Sequence, residues 1–331
     1  MNHIKILKRA LDITINYRAL WIFGMLLALT TGSGSGNGGS SSSSPDTNPP
    51  DINWQNPFGE LPHFSTEVIN MWIGIAIGLA CLILILIVAG NIARYVAETA
   101  LIRMVDEHEK DGEQLTIRQG FRLGWSRAAW KMFLMDLLVG LSFMAAFLLL
   151  LAIAALPLLV WLSKNTPLQV LGTVISCGLI LLLVFAAIVA ALAVSLILIF
   201  ARRVCALENL GARASLRRGY EMVKQRPGEV ILMGVIMFGI GLLWVLVTIP
   251  VILAVIIAAA LIAGLPALLI GSIVGFFTQG YTPWIVAAIV GAPIFLVAVI
   301  IPGALVGGWQ QVFSSSAWTL TYRETLALEQ R

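Results

Sequence analysis

Acidic side chains inside long apolar runs are where ion or proton chemistry would sit, and Asp136, five residues past Lys131, is the one acid so placed. At about 1.5 Å per residue it lies only about 7 Å along a helix from Lys131. That distance favours snorkelling to the interface, or pairing with an arginine of a surface helix, over ion coupling. Arg94 and Glu98 are four apart and are expected to form an ordinary surface pair. Cys81 and Cys177 fall inside apolar runs, Cys205 sits beside Arg202 and Arg203, and His3, His63 and His108 are scattered. These spacings suit neither a zinc site nor a Cys/His nucleophile. The sequence has no phosphate-loop, H-E-x-x-H or G-x-S-x-G motif and no paired carboxylates within an apolar run. The Gly/Ser tract opening at Gly32 lacks the lysine that a phosphate loop needs. No enzymatic activity and no cofactor are expected.

Arginine spacing is more informative. An offset of 95 residues places Arg118 on Arg213, Arg122 on Arg217, Gly124 on Gly219 and Trp125 on Tyr220, so both copies read R-x-x-x-R-x-G-aromatic. Ile117, Phe121, Trp125 and Ala128 recur as Ala212, Leu216, Tyr220 and Val223, which is one face of a helix. Such a helix lies along a membrane surface with its apolar face down and its arginines toward the headgroups. Arg118, Arg122, Arg213 and Arg217 are therefore candidate ligands for anionic lipid headgroups. Residues before the first apolar run form a looser third copy, with Lys5, Arg9, Asp12 and Asn16 along one stripe. Thr99–Arg103 (TALIR) and Thr319–Arg323 (TLTYR) match each other near the ends of two later runs.

The elements that carry these residues follow from composition. Of 331 residues 59% are hydrophobic and 11% charged, where a soluble domain has roughly a quarter charged. Mean hydropathy is +0.93. Charge-free stretches of 26, 27, 37 and 93 residues begin at Val68, Leu137, Asn165 and Val230, and each exceeds the ~20 residues that cross a bilayer. All 21 Lys and Arg except Lys164 fall at the termini or in the segments 94–131 and 202–226. Positive segments stay inside, which puts both termini in the cytoplasm and requires an even number of spans.

Six spans fit: Thr14–Thr31, Val68–Ala93, Lys131–Leu162, Leu168–Phe200, Val230–Ile262 and Pro283–Gly308. The expected fold is an all-α integral membrane protein of six transmembrane helices, paired as three hairpins, each preceded by an interfacial amphipathic helix. Residues 1–31 form the first interfacial helix and span, 32–67 a disordered extracytoplasmic loop, and 68–331 the five remaining spans with the two basic cytoplasmic segments. A cleaved signal peptide is the rival for the first span, whose purely apolar part has only 12 residues; the patterned stretch before it favours a retained helix. Trp72, Trp161 and Trp284 belong to the outer border, Trp130 and Trp309 to the inner one, and Trp244, mid-span, to helix packing. Ala267, Gly271 and Gly275 repeat every four residues and permit close helix contact. They lie in Ala263–Thr282, expected to be a re-entrant or interfacial excursion.

The segments KRALDITINYRALWIFG, RQGFRLGWSRAAWKMF, ENLGARASLRRGYEMVKQRPGE and SSAWTLTYRE resemble bacterial six-span membrane proteins of the YciC-like and glycerophosphodiester phosphodiesterase membrane-domain group. The resemblance implies the fold more than an activity, because in that group the hydrolase is a separate soluble domain and this chain has no soluble stretch long enough to hold one. The expected function is a non-catalytic inner-membrane domain that binds lipid, another membrane protein or a second copy of itself, and no nucleic acid. The alternative is a permease component for an apolar or lipid-like substrate. The orientation is checked by single cysteines: an impermeant thiol reagent on intact cells should label one placed at Ser42 and miss one placed at Glu109, and the opposite pattern would invert the topology.

Overall fold

A computed structural model describes residues 2–31, 66–162, 166–277 and 282–329, and every regular element among them is helical. The loop expected at 32–67 lies, through residue 65, outside the described residues. Helix α1 (His3–Asn16) starts under the Asn2 side chain, which accepts from the Lys5 amide at 3.2 Å. It meets α2 (Ala19–Thr31) at a 98° bend. The elbow is fixed by Trp21, whose indole N–H donates to the Thr14 carbonyl at 2.6 Å, and by Tyr17, whose hydroxyl donates to the Leu115 carbonyl at 3.0 Å.

Helix α3 (Thr66–Asp111) ends at Gly112, whose φ of 72° is the left-handed stop that glycine permits. The short α4 (Ile117–Gly124) opens with a Thr116/Gln119 capping box. Helix α5 (Arg127–Ala155) tightens into a 3-10 turn over Leu156–Leu162, where Pro157 removes a backbone donor. Helix α6 (Thr166–Leu207) is closed by Asn209 at φ 55°, a conformation asparagine tolerates. After α7 (Ala212–Gln225) come α8 (Pro227–Phe277) and α9 (Thr282–Glu329).

Five stretches are long and apolar enough to cross a bilayer, Ile77–Asp111, Arg127–Trp161, α6, α8 and α9, and a sixth exists if the bent pair α1 and α2 counts as one. Taken alone, the 13 residues of α2 reach about 20 Å, short of a hydrocarbon core of about 30 Å.

Most side chains along these helices face outward, as Leu84, Leu149, Leu181 and Leu246 do. Burial concentrates instead at the end of the bundle that carries the basic segments, called here the basic end. There α3, α6 and α9 run on past their apolar stretches and meet, joined by α1 and α2, with Leu101, Met104, Phe200, Val204, Val312 and Trp318 among the fully or nearly enclosed residues. Each surface helix packs on the long helix that precedes it in a cyclic order: α4 on α3, α7 on α6, and α1 on α9, which closes the ring.

Glycine sets the depth of these contacts. A Cβ at Gly219 of α7 would meet the Ala201 backbone nitrogen of α6 at 2.8 Å, and one at the matched Gly124 of α4 would collide with the Val96 carbonyl and Ala100 of α3. The face that α4 buries is thus Gly120 and Gly124, while Ile117, Phe121 and Trp125 remain exposed, as does Tyr220 in α7. The repeated glycine is a packing residue, and the repeated aromatics are left for the surroundings.

Residues 263–277 form no separate excursion. Helix α8 continues through Pro250 and Pro266 to Phe277 and pairs with the beginning of α9, with Gly271 facing Ala287 and Gly291 facing Ala267. The Ala267, Gly271 and Gly275 stripe serves this pairing. Trp244, at 6.4 Å from Trp309, is a packing residue as expected, and Trp309 also meets Trp21 edge to face at 6.0 Å.

Overpacking these contacts against backbone should cost about 2–3 kcal/mol. Gly219→Val and Gly308→Val, the latter facing the Met25 backbone nitrogen at 2.7 Å, are expected to lower the unfolding temperature in detergent. Gly264→Ala, with nothing within 4 Å, should leave it unchanged or raise it.

Candidate functional site

Charged side chains meet at the basic end of α3, α5 and α6. Arg202, at the end of the long apolar run of α6, points its guanidinium between two acids. Its Nη2 donates to Asp136 Oδ2 at 2.7 Å and its Nη1 to Glu98 Oε1 at 3.0 Å. Nε reaches Asp136 Oδ1 at 3.3 Å, so that both oxygens of this carboxylate are held along one edge of the guanidinium. The Tyr95 hydroxyl donates to Asp136 Oδ2 at 3.2 Å. The exposures of 21%, 12% and 14% for Arg202, Glu98 and Asp136 place the group below the surface. Arg203, 5% exposed, turns the other way and donates to the Ile199 carbonyl at 2.6 Å.

Two expectations change here. Asp136 pairs with an arginine, but one of the long helix α6 and not of a surface helix. Glu98 does not form a surface pair with Arg94; it is turned inward to Arg202, while Arg94 lies over the Tyr95 ring at 5.7 Å. Sequence spacing finds partners on one helix and cannot find partners 104 positions apart.

The matched residues Arg103 and Arg323 do equivalent work. Arg103 donates to the Ala206 carbonyl at 2.9 Å and to Asn209 Oδ1 at 2.8 Å, clamping the end of α6, and to the Leu123 carbonyl of α4 at 3.1 Å. Arg323 donates to the carbonyl and the carboxylate of Asp106 at 2.8 and 2.9 Å, clamping the end of α3. Tyr322 adds a bond to Glu208 at 2.6 Å, and Lys131 reaches the Asn209 carbonyl at 2.7 Å. The TALIR and TLTYR match was the signal in the sequence for these two clamps.

The four candidate headgroup ligands are exposed, and they divide into two unlike pairs. Arg118 and Arg122 of α4 form no ion pair among the described residues and line a surface groove of about 670 Å³ with Gln119, Phe121 and Trp125. Phe121 and Trp125 stack along its floor, 6.3 Å apart and 17° from parallel. In α7, Arg213 is likewise unpaired, but Arg217 is engaged by Glu221 at 3.0 Å. Cys81 and Cys177 are exposed, Cys205 is buried, and no group of three His, Cys, Asp or Glu able to hold a metal occurs among the described residues.

These features define the class: an all-α bundle of membrane-length helices gathered at one end by buried charge. A family model, DUF7544, described as a family of unknown function, matches residues 13–320, and the chain belongs to that family. No curated protein and no solved structure matches it.

Removing one partner of a buried, hydrogen-bonded charge group costs about 3–5 kcal/mol. Arg202→Met should therefore destabilise the protein strongly in a detergent melt. Adding Glu98→Gln and Asp136→Asn to that variant, which removes the stranded charges, should restore a large part of the loss.

Proposed function

We propose that this chain is a non-catalytic protein of the bacterial cytoplasmic membrane that holds anionic phospholipid at its cytoplasmic face. In this reading six spans form three hairpins, both termini are cytoplasmic, and the basic end is the cytoplasmic end. The bent pair α1 and α2 supplies the first surface helix and span, and the resemblance to the YciC-like group accords with this layout.

The observation that carries the proposal is the groove of Arg118 and Arg122. Two guanidinium groups with no counter-charge among the described residues stand one turn apart on α4, beside two stacked aromatic rings exposed at 46% and 64%. Cations at an anionic membrane surface contribute about 1 kcal/mol each, and indole and phenyl rings settle at the headgroup level. Arg213 and Arg217 form the second, weaker patch. A permease role would require polar side chains free to line a path, and Asp136 is already bound by Arg202 and Tyr95. Another membrane protein or a second copy of the chain is a further partner compatible with the outward-facing apolar helices.

The arginines also serve topology, and purified protein separates the two roles because orientation is by then set. Replacing Arg118, Arg122, Arg213 and Arg217 by Gln should lower retention of phosphatidylglycerol or cardiolipin, and added salt should erode wild-type retention in the same direction. Unchanged retention in the folded quadruple variant would leave the arginines as topology signals alone.

A further inference from the structure

Trp125 borders two cavities at once. On one side is the arginine groove; on the other is an apolar groove of about 630 Å³ between α3 and α5, walled by Ile92, Tyr95, Ala129, Trp130 and Phe133. Its aromatic wall is continuous, with Trp130 5.1 Å from Phe133 and Phe133 5.6 Å from Tyr95. Where the two grooves adjoin, Ser126 lines the apolar one, and its hydroxyl is buried with no hydrogen-bond partner among the described residues. A buried donor without a partner is costly and points to a missing acceptor.

Resting on the lipid-binding reading above, we propose that α3, α4 and α5 form a single composite site for one diacyl phospholipid. Arg118 and Arg122 take its phosphate, the Ser126 hydroxyl donates to an ester carbonyl, and one acyl chain lies in the groove past Trp125. Phosphate, ester and chain follow one another in a phospholipid in the same order as Arg122, Ser126 and Trp130 follow one another along this chain.

The second repeat explains why the site is single. Under the 95-residue offset the partner of Ser126 is Glu221. That carboxylate holds Arg217 at 3.0 Å, and Arg218 is bound by Glu329 at 2.7 Å. An anion approaching α7 thus meets a carboxylate where the first repeat offers a neutral hydroxyl. Divergence at this one position turns two similar sequence motifs into one composite lipid site and one weaker patch whose Arg217 is already held by a carboxylate.

Native mass spectrometry of the full chain with dioleoylphosphatidylglycerol tests this. Wild type should retain one tightly held lipid. Arg118→Gln with Arg122→Gln should weaken it roughly thirty-fold, and Ser126→Glu, which copies the second repeat, by at least as much. Ile92→Trp, which fills the apolar groove from a position already 46% exposed, should also lower retention, with Val88→Trp as a second groove filler should the first fail to fold. Arg213→Gln with Arg217→Gln should change the tight lipid little. Glycerol 3-phosphate at equal concentration should not displace it.

Loss in the α4 arginine variant with full retention in both groove fillers would overturn the composite site and leave the headgroup reading standing. Full retention in the α4 arginine variant would overturn both. Displacement by glycerol 3-phosphate would show a soluble-phosphate site in place of a lipid site, and equal losses from the α4 and α7 variants would refute a single site.

Discussion

Helices surrounded by lipid gain little by hiding apolar side chains from one another, because the surrounding tails are equally apolar. This chain places its enclosed side chains elsewhere, at the basic end, where α3, α6 and α9 extend beyond their apolar runs and pack with α1 and α2. On the membrane reading, burial of the residues beyond the apolar runs, Leu101, Met104, Val204 and Trp318 among them, removes apolar surface from water and has a full driving force. The long outward-facing helices inherit their positions from that junction. The glycine contacts of α2 with α9 and of α7 with α6 then fix how closely neighbours approach.

Charge makes the junction specific. Arg202 holds Glu98 and Asp136 on two other helices, Arg103 clamps the end of α6, and Arg323 clamps the end of α3. A buried ion group contributes little net stability compared with apolar packing, but a mispaired one is expensive. These arginines therefore penalise every register other than the native one. Arg103 also spends two donors on the Ala206 and Leu123 carbonyls at the ends of α6 and α4, groups that no helix can satisfy by itself.

Much of this was legible in the sequence, for definable reasons. Apolar runs and cation clusters report helices and surface segments because those properties are local. The R-x-x-x-R-x-G-aromatic repeat located α4 and α7, and TALIR with TLTYR marked the two clamps. What local pattern could not convey was partnership at a distance: Glu98 looked like the mate of Arg94, and Asp136 like that of a surface arginine. The glycine of the repeat read as part of a motif, whereas it is the residue that seats each surface helix on its neighbour. The stretch 263–277 read as an interruption because it contains Pro266 and precedes Gly280 and Pro283. One missing backbone bond does not end a long helix that is packed along its length, and α8 continues through Pro266 to Phe277.

Closure of the ring by α1 on α9 has a consequence for synthesis. The first two helices leave the ribosome early, and Gly24 waits for a partner, Gly308, near the other end of the chain. With about 280 residues between them and translation at about 5–20 residues per second, that wait lasts roughly 15–60 s. Throughout it α2, at 13 residues too short to settle alone across a bilayer, has α3 beside it but not yet α9. Until α9 arrives α2 can pack only on α3, so the contact that seats Gly24 against Gly308 joins segments made far apart in time.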